Sequence, residues 1–113
     1  MENSSDLLPF FRIRSIIFIM KEDVKYKKLQ QLNRLKVDLP DYVKDYFDYC
    51  DGTLGRSYNT MISYAYNIRN FFQFLIDRNS LISEYSDITI DMLNQINALD
   101  MQKYMSYLRL HMT

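Results

Sequence analysis

The sequence predicts an all-α fold, a small orthogonal bundle of about four helices. Its 113 residues include only two Gly and two Pro, apolar residues recur at helical spacing in several segments, and no segment alternates as a strand would. A chain that is 48% hydrophobic and 25% charged has the composition of a folded globular protein. Its length allows one domain with one modest core.

Residues 1–38 are predicted to be an N-terminal extension, locally basic and partly disordered, and residues 39–113 to be the helical domain. The apolar run at residues 16–20 is far shorter than the ~20 residues of a membrane span, so we expect no membrane association. The net charge of zero conceals a basic stretch and an acidic one, since residues 38–51 contain five Asp. The cations of the basic stretch are Arg12, Arg14, Lys21, Lys25, Lys27, Lys28, Arg34 and Lys36.

The first helix of the domain is expected to begin at Leu39-Pro40-Asp41, because a proline is tolerated in the first turn of a helix. Gly52 is expected to end it. The residues predicted to form its core face, at helical spacing, are Val43, Tyr46, Phe47 and Cys50.

A longer second helix is predicted from Ser57, a suitable N-cap, to about Asn79. Its predicted apolar face consists of Tyr58, Met61, Ala65, Ile68, Phe72, Leu75 and Ile76. The opposite face is rich in short hydrogen-bonding side chains and has no carboxylate; it carries Arg56, Asn59, Thr60, Ser63 and Asn67. Such side chains can donate to phosphate oxygens and Asn can pair with base edges, although polar outer faces are also common on any surface helix.

The C-terminal part is predicted to contain a short helical stretch around residues 90–96 and a last helix capped by Asn97, with Asp100 in its first turn. The predicted core face of the last helix consists of Met101, Tyr104, Met105 and Leu108, and its outer face of Gln102, Lys103, Ser106 and Arg109.

Three of these segments are similar to a known domain. The central helix of the core-binding domain of tyrosine recombinases, the phage-integrase family, is similar to the pattern Ser57-x-x-Thr60-x-x-x-Tyr64-x-x-x-Ile68-x-x-Phe71-x-x-Phe74-Leu75. The first helix of that domain resembles Leu39-Pro40-x-x-Val43-x-x-Tyr46-x-x-Tyr49, and its closing segment resembles Asp87-Ile88-Thr89 followed by Asp100-Met101-x-x-Tyr104-x-x-Tyr107-Leu108. The resemblance covers about residues 39–110.

The resemblance implies a SAM-like helical bundle that clamps double-stranded DNA together with a larger C-terminal catalytic domain, normally in the same polypeptide. It implies DNA integration and recombination as the process, and a monomeric isolated domain. The residues that it implies for DNA binding are Arg56, Ser57, Asn59, Thr60, Ser63, Asn67, Lys103 and Arg109.

We expect no catalysis by this chain. The arginines, lysine, histidines and nucleophilic tyrosine of the recombinase family lie downstream of the resembling domain. Tyr104 and Tyr107 lack the surrounding cations that strand transfer requires, and are predicted to pack in the core. His111 is expected to be a surface or capping residue and Cys50 a buried apolar one. A lone His and a lone Cys predict no metal site or cofactor, and the single Cys favours a reducing, cytoplasmic location.

Two other functions remain open from the sequence. The chain could be a helical protein-interaction module without DNA binding, which predicts an exposed apolar patch. It could also be a stand-alone regulator that competes for recombination sites.

Overall fold

A computed structural model describes the backbone of residues 3–111 and the side chains of residues 12, 14–17 and 19–111. Within these residues the chain forms five α-helices and one short 3-10 turn, and no strand. The α-helices are α1 (Asn3–Lys36), α2 (Asp41–Gly52), α3 (Tyr58–Arg78), α4 (Ile90–Asn94) and α5 (Ala98–His111), and the 3-10 turn is Tyr85–Asp87. The predicted all-helical fold is therefore confirmed. None of the described helices combines the length and the apolarity that crossing a bilayer requires.

Helix α1 differs from the extension predicted for residues 1–38. Its C-terminal end packs against α3 and contributes Leu32, which is 2% exposed, to the core. The described side chains from residue 12 to residue 27 are all exposed, so the N-terminal half of α1 projects from the bundle. The division at residue 38 stays a prediction, but the core of the bundle extends across it.

The turn between α1 and α2 follows from a proline. Leu39 precedes Pro40, and a residue before proline is disfavoured in the helical region. Leu39 N–H donates to the Lys36 carbonyl (3.0 Å) as α1 ends, and Pro40 occupies the N-cap of α2 with a φ of −59°. The predicted start of this helix is confirmed.

Helix α2 buries Val43, Phe47 and Cys50 as predicted. The prediction for Tyr46 was wrong, because its side chain is 45% exposed. Tyr46 lies about 60° from the centre of the buried stripe around the helix, where its ring contacts the edge of Phe47 (6.0 Å between centroids) without being covered.

Helix α3 is the central element, and it contacts α1, α5 and the 3-10 turn. Ser57 caps it and Asn79 follows its last residue, as predicted. All seven residues of its predicted apolar face are buried or pack against the core. Phe74, which lies outside that face, is also buried, because the rings of Tyr104 and Tyr107 both pack against it at 5.3 Å between centroids.

Helix α5 is rotated relative to the prediction. Met101 and Met105, predicted as core residues, are 43% and 53% exposed, while Tyr104 and Tyr107 pack against the core. The Arg78–Asp100 ion pair (2.7 Å) and the contacts of both tyrosines with α3 fix this orientation. The predicted cap is confirmed, since Asp100 N–H donates to Asn97 Oδ1 at 3.0 Å.

Candidate nucleic-acid interface

The N-terminal end of α3 is held by backbone and side-chain hydrogen bonds. Gly55 has a φ of 62°, which glycine adopts without steric cost, and Arg56 N–H donates to the Cys50 carbonyl at 2.9 Å. Arg56 thus directly precedes the N-cap of α3, with its backbone anchored and its side chain exposed.

Two of the predicted DNA-binding residues also serve the cap of α3. Ser57 Oγ accepts the backbone N–H of Thr60 (3.2 Å) and donates to Thr60 Oγ1 (3.0 Å). The two hydroxyls are thus hydrogen-bonded to each other, and this bond uses one of their two protons. The other proton remains available to an acceptor outside the protein.

The outer face of α3 carries a continuous polar stripe. Asn59, Ser63 and Asn67 are exposed and spaced four residues apart, so they follow one another along one face of the helix. Half-buried Asn70 extends this stripe by one step; it was not predicted, although the same spacing points to it. No acidic residue occurs between Arg56 and Ile76, so no carboxylate on this part of α3 would repel a phosphate.

A groove of about 760 Å³ separates the N-terminal end of α3 from α1. One wall is formed by Arg56, Ser57, Tyr58 and Asn59, at the start of the polar stripe. The wall that α1 provides consists of Ile17, Met20, Lys21, Val24, Lys25 and Lys28. Asp51 is the sole carboxylate among the residues that line it. The fold thus places part of the basic stretch of the sequence beside the predicted DNA-binding face.

The two DNA-binding residues predicted on α5 lie on different faces of that helix. Lys103 and Arg109 are both exposed, but six positions along an α-helix separate them by about 120° around its axis. Helix α5 packs against the C-terminal half of α3, through Phe71 and Phe74. The structure therefore brings together the residues from Arg56 to Asn67, and it does not bring Lys103 and Arg109 onto a common face.

The tyrosines of α5 act as packing residues. The Tyr104 ring meets Phe71 edge-on at 4.9 Å between centroids, and Tyr107 Oη donates to Asp77 Oδ2 at 2.9 Å. Burial raises the pKa of both phenols, and the bond to Asp77 raises the pKa of Tyr107 further. A raised pKa disfavours the phenolate, which is the opposite of what activation as a nucleophile requires.

His111 and Cys50, which were also singled out from the sequence, make capping and packing contacts. His111 stacks on Tyr107 at 4.2 Å between ring centroids, and its Nδ1 lies 2.9 Å from the Tyr107 carbonyl oxygen, as expected of a capping residue. Cys50 is fully buried. Among the residues that the structure describes, neither belongs to a cluster of His, Cys, Asp and Glu side chains that could hold a metal ion.

The projecting half of α1 exposes apolar as well as basic side chains. Ile16, Ile17, Ile19, Met20 and Val24 are between 46% and 63% exposed, within nine consecutive positions of one helix. A contiguous apolar surface of this kind often marks a contact with another molecule. It is the feature that the protein-interaction alternative predicted.

Comparison with known proteins relates the chain to the tyrosine recombinases. It is 29% identical over 92 residues to the tyrosine recombinase XerC of Caldanaerobacter subterraneus subsp. tengcongensis, an alignment that covers 74% of this chain and 26% of that protein. It is 32% identical over 82 residues to the tyrosine recombinase XerS of Streptococcus mutans, covering 72% of this chain and 23% of that protein. The chain thus spans about a quarter of the length of these relatives.

Two further comparisons gave no match: the chain matches no protein-family model, and no solved structure is significantly similar to it. The chain is therefore a distant homologue of tyrosine recombinases over most of its length.

Proposed function

We propose that this chain is the DNA-binding core-binding domain of a site-specific tyrosine recombinase. It clamps the DNA of a recombination site and so positions the enzyme, while a separate catalytic domain, normally in the same polypeptide, cuts and rejoins the strands. The observation that carries the proposal is the exposed, carboxylate-free stripe of Asn59, Ser63 and Asn67 on α3, in a chain related to tyrosine recombinases.

The chemistry of the stripe suits contact with a duplex. Hydroxyl and amide groups donate to phosphate oxygens, and an Asn amide can pair with adenine in the major groove through both of its polar atoms. Arg56 at one end adds a guanidinium that suits phosphate. Thr60 lies beside the stripe, and its hydroxyl pair with Ser57 has one proton left to donate. We therefore propose phosphate contacts with some base reading by Arg56, Thr60 and the stripe residues Asn59, Ser63, Asn67 and Asn70.

Replacing amides by carboxylates on the stripe tests this proposal with little change in shape. We expect Asn59→Asp combined with Asn67→Asp to weaken binding of a short duplex roughly tenfold or more, because each carboxylate is juxtaposed with phosphates. Fluorescence anisotropy of a labelled duplex at low salt measures the affinity.

The matched control is Asn33→Asp combined with Asn94→Asp, which adds the same charge at exposed positions outside α3. The control should lose far less affinity. Equal losses in both double variants would mean that net charge, and not the α3 stripe, governs binding; absence of binding by the unaltered chain would overturn the proposal.

A protein-interaction module is the second candidate, and the exposed apolar surface of α1 favours it. Under this alternative the partner would cover Ile16, Ile19 and Met20, and the duplex titration would be flat. The same anisotropy experiment therefore discriminates between the two functions.

A further inference from the structure

We infer that the basic row Lys21, Lys25 and Lys28 on α1 is a second phosphate-binding element, so that the domain holds a DNA strand between α1 and α3. This inference rests on the proposed function and adds a helix that lies outside the part of the chain resembling the core-binding domain. It assigns the groove between α1 and α3 to the sugar-phosphate backbone.

Helical spacing places the three lysines on one face. Positions four and three residues apart are neighbours on a helix surface, and all three side chains line the groove. The row is about 10 Å long at 1.5 Å per residue. Because successive phosphates of one strand are about 3.4 Å apart along the duplex axis, the length of the row corresponds to about three phosphate steps along that axis.

The base of α1 fixes the direction in which this row faces. Leu32 is buried in the core, Gln31 Nε2 donates to Tyr66 Oη of α3 at 3.2 Å, and Arg69 of α3 donates to the Leu35 carbonyl at 3.0 Å. Lys28 is one turn before Leu32, so the lysine row continues the side of α1 that packs against α3. The row consequently faces the start of the polar stripe.

The charges around the groove favour an anion. Four cations, Lys21, Lys25, Lys28 and Arg56, line it together with one carboxylate, Asp51. Elsewhere on this part of α1, Asp23 is paired with Lys27 at 3.2 Å, which lies on another face of the helix. The positive charge of the groove is thus mostly uncompensated by the residues that line it.

Continuity with α3 favours DNA over an acidic protein as the occupant. Arg56 and Asn59 line the groove and also begin the carboxylate-free stripe, so a strand lying in the groove runs on directly over the polar face of α3. Met20 and Val24 give the α1 wall some apolar character, and an acidic amphipathic segment is the competing occupant that the experiment must distinguish.

The test is the salt dependence of duplex binding by a triple variant, Lys21→Ala, Lys25→Ala and Lys28→Ala. Each phosphate contact contributes about 0.9 to the slope of log affinity against log salt, so losing three should reduce the slope by about 2.7. Alanine maintains helix propensity, and circular dichroism verifies that helical content is unchanged.

The matched control is Arg12→Ala, Lys27→Ala and Arg34→Ala. It removes the same charge from the same helix, at exposed positions on the side of α1 away from the groove. We expect the salt slope of this control to differ from that of the unaltered chain by no more than about 0.9, the contribution of one phosphate contact. Equal slopes in the two triple variants, whether reduced or not, would overturn the inference.

The inference and the proposed function fail in different ways. If the α3 substitutions weaken duplex binding but the lysine substitutions leave its salt slope unchanged, the inference alone is wrong. If the unaltered chain does not bind duplex, the proposed function is wrong as well. If the triple lysine variant loses polyglutamate binding but keeps the salt slope of duplex binding of the unaltered chain, the groove serves an acidic protein and the inference is overturned.

Discussion

At the scale of single residues, Arg69 connects three segments of the bundle. Its guanidinium donates to the Leu35 carbonyl at the end of α1 and to Asp38 in the following turn, and it lies 5.0 Å from the centre of the Tyr85 ring. A planar guanidinium can make these contacts at once, whereas an ammonium is a single point charge. Arg69 is thus a structural residue, although its charge alone would suggest a ligand-binding role.

We expect Arg69→Ala to lower the free energy of unfolding by about 1–2 kcal/mol, because hydrogen bonds to a charged group and a cation–π contact are lost from a partly exposed site. The free energy of unfolding of Arg69→Lys should lie between those of Arg69→Ala and the unaltered chain. Urea denaturation measures both. Arg34→Ala, on the exposed side of α1, is the control and should change stability by no more than about 0.5 kcal/mol; a similar loss there would refute the assigned role of Arg69.

At the scale of elements, the start of α5 depends on reciprocal hydrogen bonds. Asp100 accepts the backbone N–H of Asn97 at 3.0 Å and pairs with Arg78 of α3 at 2.7 Å. The side-chain bond from Arg78, followed by the backbone bond from Asn97, lowers the pKa of Asp100 below its usual value. One carboxylate therefore both caps α5 and attaches it to α3.

This arrangement predicts a loss of stability in acid. A lowered folded-state pKa stabilises the fold above the unfolded pKa of about 3.9, and the contribution is lost as the pH falls through the folded-state value. Asp100→Asn should therefore destabilise the domain at neutral pH, and the difference from the unaltered chain should shrink towards pH ~3. Thermal unfolding at several pH values measures this difference. The control is Asp45→Asn, at an exposed position on α2. A loss of stability in Asp100→Asn that does not change with pH would contradict the interpretation.

The elements also show what the sequence could predict. The bounds of α2 and α3 followed from Pro40, Gly52 and Ser57, because these residues act through local backbone geometry and capping. The rotation of α5 could not be predicted, since Met101 and Tyr107 are both apolar enough for a core and only the partner rings on α3 favour Tyr107. Helix α1 was missed because its packing involves just its last turns.

At the scale of the whole molecule, zero net charge coexists with a strongly uneven distribution of charge. The cations are concentrated on α1, whereas α2 and the turn before it carry Asp38, Asp41, Asp45, Asp48 and Asp51. The field that a nearby polyanion experiences depends on which side of the domain it approaches. A neutral composition therefore does not argue against nucleic-acid binding here, because most of the cations lie on α1 and five of the acidic residues on α2 and the turn before it.

Only part of the candidate interface could be predicted from the sequence. The stripe on α3 follows from helical periodicity within one segment. The pairing of Arg56 with the lysines of α1 requires two segments about 30 positions apart in the chain to meet, which no local pattern encodes.

The sole cysteine, Cys50 of α2, is buried in the core, so its reaction with a thiol reagent reports on opening of the native fold. An alkylating reagent can reach Cys50 only after the native packing opens, so the rate of labelling reports the population of opened molecules. A duplex that binds only the native domain should slow this labelling, by about 100-fold when the duplex is present at 100 times its dissociation constant. Mass spectrometry of the quenched reaction would measure the protection on the unaltered sequence, and labelling at the same rate with and without duplex would show that the native state gains nothing from the DNA.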